Sequence, residues 1–208
     1  MAASPSDPSH PLASGGGRHA VWLVRHGETE WARLGRHTGR TDVPLTETGR
    51  AQAVALGRRL AGHPFALVLA SPLSRAADTA RLAGFGDVAI TDPDLREWDY
   101  GAFEGRLTTE IRADYPGWTI WRGPWPDGET IDEVASRADR VRSRVRAADG
   151  DSLVIAHGHF LRVLAARWLK QPASAGALFA LGTATISILG WEHESPVIET
   201  WNEACRPD

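Results

Sequence analysis

The sequence predicts a single-domain α/β/α sandwich around a mostly parallel central sheet, and three observations carry that expectation. Continuous apolar runs at Val21–Val24, Phe65–Ala70 and Leu153–Ala156 lack polar alternation, as strands buried on both faces do. Segments of helical character, apolar on one side, separate these runs. The 208 residues, 42% hydrophobic and 24% charged, suffice for one sizeable core and show no internal repeat or second-domain boundary.

The first run ends in Arg25-His26-Gly27, and ligands of open α/β sheets gather outside the carboxyl ends of strands. Arginine offers a fixed fork of donors for phosphate. Imidazole can attack phosphorus and carry the group covalently, and Gly27 lets the backbone approach a ligand. Glu30 to Asp42 is rich in Gly, Thr and Arg without a steady period, so it reads as a loop folding over the same strand end. Arg36, Thr38 and the Gly39 backbone are its candidate substrate contacts, with plain surface as the alternative for each.

Thr46 is the expected N-cap of a helix reaching Leu60. Val54, Leu56 and Leu60 form its apolar side, Arg58 and Arg59 face water, and Gly62 ends it. Phe65–Ala70 is broken by Ser71-Pro72. Arg75 then falls in the first turn of a helix over about Leu73–Leu82, whose N-terminus adds positive potential at the strand end; Arg81 reads as solvated. Val88–Ile90 makes a short third strand. In the loop Asp94–Gly101, Glu97 and Asp99 lie among Trp98 and Tyr100. Partial desolvation there can raise a carboxyl pKa toward a general-acid value; equally, the aromatics can anchor the loop with its charges outward.

Residues 105–128 hold Trp118, Trp121, Arg122 and Trp125 with three prolines, which excludes a long helix. These indoles either pack onto the core or wall a pocket. Thr130 and Glu133 form a capping box for a helix over Ile131–Ala147, with Asp139, Arg140, Arg142 and Arg144 on its solvated face. The strand Ser152–Ala156 delivers a second histidine-glycine pair, His157-Gly158, ahead of a helix over His159–Leu169. The last strands are expected at Thr185–Leu189 and Val197–Trp201.

Composition narrows the classes. The net charge of −3 supplies no bulk basic field for nucleic acid or anionic membrane. Lys170 is the only lysine, so any single arginine carries little weight. Cys205 is the only cysteine, which removes an internal disulfide framework and any Cys-based zinc cluster. No apolar stretch reaches transmembrane length. Residues 1–19, rich in Ser, Pro, Gly and His without a hydrophobic centre, read as a disordered leader and not a secretory signal, so the cytoplasm is the default location.

Four separated motifs, Leu-Val-Arg-His-Gly-Glu-Thr, Leu-Thr-x-x-Gly, Ser-Pro-x-x-Arg-Ala-x-x-Thr-Ala and Ala-His-Gly-His, resemble the histidine phosphatase superfamily with its phosphoglycerate mutase-like fold. The likeness runs from about Val21 to Trp201, within an expected domain of 20–204. It implies that His26 is the phosphorylated nucleophile, that Arg25, Arg75 and His157 hold the phosphoryl oxygens, and that Glu97 protonates the leaving alcohol and then activates water. Each cation–anion contact at 4 Å is worth on the order of 4 kcal/mol at an effective dielectric of about 20. Two arginines and a histidinium can therefore stand where other phosphatases need a metal, and neither metal nor cofactor is expected.

Tyr100, Trp121, Arg122, Gly158 and His159 join Arg36, Thr38 and Gly39 as the candidate substrate contacts. Two departures, Ala32 and His159 where many members carry Asn, keep mutase specificity from being copied. The mutase-type insertion between Glu97 and His157, 60 residues apart, looks shortened and the mutase tail absent. The stretch Arg96–Gly101, the Trp118–Trp125 segment and Gly128-Glu129-Thr130 look more like the acid phosphatase and sedoheptulose-bisphosphatase branch. The leading expectation is a metal-independent phosphatase for small phosphomonoesters, sugar phosphates foremost. A cofactor-dependent phosphoglycerate mutase and a non-catalytic phosphometabolite-binding protein are the rivals. The expected partner is a small-molecule phosphate ester, with no nucleic acid and no membrane. No unpaired apolar face is legible, and a homodimer stays open.

Overall fold

The structure, a computed structural model, describes residues 18–205. Its centre is β1 (Val21–Arg25), which pairs in parallel with β4 (Ser152–Ala156) and antiparallel with β5 (Thr185–Glu192). Beyond β4 lie β2 (Leu67–Ala70) and then β3 (Ile90–Thr91), both parallel, while β6 (Ser195–Ala204) returns antiparallel along β5. The order across the six strands is β3-β2-β4-β1-β5-β6.

Helices cover both faces. On one, α2 (Glu47–Leu60) and α3 (Ser74–Leu82) bury Leu56, Leu60, Ala76 and Ala80 against Val24, Val68, Leu153 and Ile155. On the other, α5 (Ile131–Arg146) and α6 (Gly158–Trp168) bury Val134, Val141, Phe160 and Leu164 against Leu23, Val154 and Trp98. The capping box is present: Thr130 Oγ accepts from Glu133 N, and Glu133 Oε2 accepts from Thr130 N at 2.8 Å. The expected tryptophan segment packs onto this second core. Trp98 is fully buried, with Trp121 edge-on at 5.9 Å and Trp125 stacked at 6.1 Å.

Several expectations are corrected. Part of the loop expected over Glu30–Asp42 is a short helix, α1 (Glu30–Leu34), capped by Thr29 Oγ and closed by Gly35 in the left-handed region. Five residues are too few to show a period. A second short helix, α4 (Thr108–Asp114), lies within the irregular stretch 105–128. Val54 points outward, 42% exposed, and Ala53 and Leu56 take the core side of α2. The second strand begins at Leu67 instead of Phe65, and the third, Ile90–Thr91 instead of Val88–Ile90, is an exposed edge. Most of the expected leader, residues 1–17, lies outside the described residues, whereas Arg18 is placed, with its guanidinium over the Trp191 ring at 5.5 Å. Among the described residues no helix is long and apolar enough to cross a membrane.

The Leu-Thr-x-x-Gly motif has a steric cause. Thr46 caps α2 through Gly49 N at 3.0 Å, and its own hydroxyl donates to Glu28 Oε1 at 2.9 Å. A Cβ at Gly49 would collide with the Glu28 carbonyl, and one at Gly27 would collide with the Gly49 carbonyl. The start of α2 is thus pressed against the backbone that follows the first strand. Gly49→Ala should lower stability by about 1–3 kcal/mol, read as a reduced urea midpoint at unchanged slope. An unchanged midpoint would show that this contact is not tight.

Candidate active site

Register builds the site. Arg25 pairs with Ala156 across β1 and β4, and Ala70 pairs with Ile155 across β2 and β4. The next residues, His26, His157 and Ser71, therefore emerge side by side at one edge, tied by His26 N→Ala156 O and Ser71 N→Ile155 O, both 3.0 Å. The two imidazoles lie 5.1 Å apart between centroids.

His26 is 5% exposed, and its Nδ1 lies 2.7 Å from the Gly27 carbonyl. A carbonyl only accepts, so Nδ1 carries the proton and Nε2 keeps its lone pair. Burial, then the positive charges of Arg25 and Arg75, push the His26 pKa well below the ordinary 6.5. His157 is fully buried, with Nε2 at 2.7 Å from Ser71 Oγ and Nδ1 without a protein partner. Its pKa is also driven well down, by burial first and then by Arg75, His26 and Arg25. The expected histidinium is thus a neutral imidazole, because two fixed cations beside it leave no room for a third.

Both arginines are built in. Arg25 donates to the Leu181 carbonyl at 2.6 Å and lies against Gly158, while its Nε is buried and unpartnered. Arg75, fully buried, donates to the carbonyls of Thr38 at 3.2 Å, Gly39 at 2.8 Å and Thr41 at 3.0 Å, and its Nε is likewise unpartnered. Three buried nitrogens, on Arg25, Arg75 and His157, thus have no protein partner.

Glu97, 6% exposed, is held by the N-terminus of α6. Its Oε1 accepts from Phe160 N at 2.8 Å and Trp98 N at 2.9 Å, and its Oε2 accepts from His159 N at 3.0 Å. Aromatic residues bury this carboxylate, and a helix terminus solvates it. Asp99, its sequence neighbour, is engaged elsewhere, by Arg40 at 2.7 Å and by Gly101 N at 3.0 Å.

A cavity of about 290 Å³ opens over this edge. Arg25, His26 and Glu97 line it, as do Arg36, Thr38, Tyr100, Gly158 and His159. Tyr100 Oη lies 2.6 Å from His159 Nδ1. Burial raises the tyrosine pKa well above 10, while burial and the cation of Arg162 hold the His159 pKa far down. The phenol therefore donates, and the neutral His159 carries its proton on Nε2.

Of the expected site residues, Arg75 and His157, both fully buried, and Gly39, Trp121 and Arg122 are not part of the lining. Gly39 is small because Glu104 and the Trp98 carbonyl crowd it, and its N–H donates to Glu104 Oε1 at 2.7 Å. Trp121 supports from behind, edge-on to His159 at 5.4 Å, and Arg122 is exposed. Lining residues not anticipated include Thr29, His37, Thr108 and Arg162. Helical spacing could have found Arg162, three and four residues after His159 and Gly158. His37, whose pKa burial lowers to about 4, gave no local signal.

Over residues 21–204 the chain matches the family described as histidine phosphatase superfamily, branch 1. It is 43% identical over 179 residues to an acid phosphatase of Mycobacterium tuberculosis, covering 84% of this chain and 88% of that one. It is 35% identical over 179 residues to sedoheptulose 1,7-bisphosphatase of Saccharomyces cerevisiae, covering 70% and 66% respectively. A solved and functionally characterised Mycobacterium tuberculosis open reading frame superposes with a TM-score of 0.86 at 40% identity, over 90% of this chain and 99% of that one. With sequence, sheet topology and strand-end histidines all in agreement, the chain belongs to branch 1 of the histidine phosphatase superfamily.

Proposed function

We propose that this protein is a metal-independent phosphatase of small phosphomonoesters, sugar phosphates foremost, acting through a phosphohistidine at His26. One observation carries the reading: His26, with its Nε2 lone pair, stands at the strand edge with Arg25 and His157 and within the field of Arg75, and each of these three keeps a buried nitrogen without a protein partner. Phosphoryl transfer asks mainly for positioning and charge neutralisation, and those groups supply both. With Ser71 Oγ–H donating to its Nε2, His157 presents Nδ1–H to a phosphoryl oxygen.

The Nε2 lone pair attacks phosphorus, a P–N bond forms, and the P–O bond to the alcohol breaks. Glu97 Oε2, with one N–H bond against two on Oε1, gives the leaving oxygen its proton. Water then attacks the phosphohistidine, Glu97 takes the proton, and phosphate departs from Nε2. The names of the relatives, an acid phosphatase and a sugar bisphosphatase, support this substrate class. The cavity wall supports it too, since Nε2–H of His159, Thr108, Thr38 and Arg36 can meet hydroxyl groups.

His26→Ala should abolish turnover of p-nitrophenyl phosphate while the circular dichroism spectrum is kept. Acid-labile, base-stable phosphate on the quenched wild type should be missing from the variant. Near-normal turnover by His26→Ala would exclude the covalent route.

His159→Phe should lower kcat/KM for glycerol 1-phosphate relative to propyl phosphate by about tenfold, because a buried donor to a hydroxyl is removed. Equal losses on both esters would show that His159 does not read hydroxyls.

Acid behaviour follows from the histidines. Their folded pKa values lie below the unfolded value of about 6.5, so the unfolded chain binds more protons in between. That part of the stability is complete above pH 6.5 and declines as the pH falls toward 4. His26 itself stays unprotonated over much of this range. The kcat/KM profile for p-nitrophenyl phosphate should show no enzyme limb near pH 6.5, and urea midpoints should drop from pH 7 to pH 4. A histidine-like limb at 6.5 with a flat stability profile would contradict both statements.

A further inference from the structure

We infer that Arg137 is the positioning residue of the acid–base group, an inference that rests on reading Glu97 as that group. Glu97 lies on neither a strand nor a regular helix but in the irregular segment between two 3-10 turns, Pro93–Leu95 and Gly101–Phe103. The segment's own hydrogen bond to the carboxylate, Trp98 N to Oε1 at 2.9 Å, does not by itself fix the backbone that carries it. One side chain takes up its carbonyls. Arg137, from α5, donates through Nη1 to the carbonyls of Asp94 at 2.6 Å and Arg96 at 2.9 Å, and through Nη2 to that of Glu97 at 3.4 Å.

The guanidinium is itself held in a fork. Nε and Nη2 each donate to the Glu129 carboxylate at 2.7 Å, in the bidentate arrangement that fixes its plane. Glu129 also binds the segment, accepting from Asp99 N at 3.0 Å, and its carbonyl accepts from the Trp98 indole at 2.7 Å. The pair is largely shielded, with side chains 12% and 19% exposed. Arg137 Cζ lies 5.1 Å over the Phe160 ring, and Phe160 N–H is one of the donors to Glu97 Oε1. One guanidinium thus touches both sides of the carboxylate's support: the backbone that carries it and the helix turn that solvates it. Among the arginines of α5, Arg140 and Arg144 pair with Asp92 and Asp94 at the surface, while Arg137 alone reaches the Glu97 carbonyl.

A lysine at 137 could pair with Glu129 but has no planar fork to serve three carbonyls as well. A misplaced acid is felt where the leaving group needs a proton. An alkoxide needs one, and p-nitrophenolate scarcely does. The test measures kcat/KM, which contains only steps up to release of the alcohol, for propyl phosphate and p-nitrophenyl phosphate. Wild type, E97Q, R137K, R137M and E97Q/R137K are compared, with thermal melts to establish folding.

In R137K the propyl-to-nitrophenyl ratio should fall about tenfold, and in E97Q about a hundredfold, within the usual span of general acid catalysis. Adding R137K to E97Q should leave the ratio where E97Q put it. R137M should match or exceed R137K, and where it fails to fold, R137K decides. Equal losses on both esters in R137K, beside a ratio shift in E97Q, would overturn the positioning role alone. No ratio shift in E97Q would remove the acid–base reading and the inference with it.

Discussion

The parallel register of β1 against β4 is the constraint on which the site depends. Arg25 opposite Ala156 brings two histidine-glycine turns to the same level, and Ala70 opposite Ile155 adds Ser71 beside them. A one-residue slip would turn His26 and His157 to opposite faces, since strand side chains alternate with period two. The slip is opposed by the core. Val24 and Leu23 face different helical layers, and each would exchange a buried apolar setting for the wrong neighbours. Hydrophobic packing on two faces thus fixes the geometry of a polar edge.

That edge is costly to keep. Buried donors without partners at Arg25 Nε, Arg75 Nε and His157 Nδ1 each forfeit solvation, by roughly 1–3 kcal/mol for an ordinary group and more for a charged one. The remaining guanidinium nitrogens recover part of it from main-chain carbonyls at Thr38, Gly39, Thr41 and Leu181. Those bonds also explain why the loop after α1 closes over the strand ends: it supplies the carbonyls that make a buried Arg75 tolerable. Burial first, and then the same arginines, hold the pKa values of His26 and His157 well below 6.5.

What could be read in advance divides by how local its cause is. Val21 to His26 and Ser152 to His157 were legible because an uninterrupted apolar run defines both a strand and its end. Arg75 was legible from its place one turn into a helix after Ser71-Pro72. Gly39 was read as a ligand contact, yet its size is dictated by Glu104, 65 residues away in sequence. Trp121 and Arg122 were drawn toward the cavity by the density of aromatics, but the indoles of Trp121 and Trp125 pack on Trp98 and the core. The first turn of α1 was missed because Thr29 and Gly35 fix it by capping, not by periodicity. Arg137 went unread because nothing local marks it out among the five arginines of α5 as the one that reaches the Glu97 carbonyl.

Glu97 and His26 are positioned by different physics, and the difference bears on how the site can evolve. His26 is the continuation of a strand, so its place is set by the sheet and by a single bond to its neighbour's carbonyl. Glu97 is assembled from three directions: the α6 N-terminus, the indole of Trp98 and the Arg137–Glu129 fork. The first two come from segments that also line the cavity, through His159 on α6 and Tyr100 two residues beyond Trp98, whereas neither member of the fork lines it. A change in the α6 wall of the cavity therefore reaches the Glu97 carboxylate, and one at Thr38, whose carbonyl accepts from Arg75, reaches the buried guanidinium. Cavity wall and charged groups are thus joined through main-chain hydrogen bonds, His159 N to Glu97 on one side and Arg75 to the Thr38 carbonyl on the other.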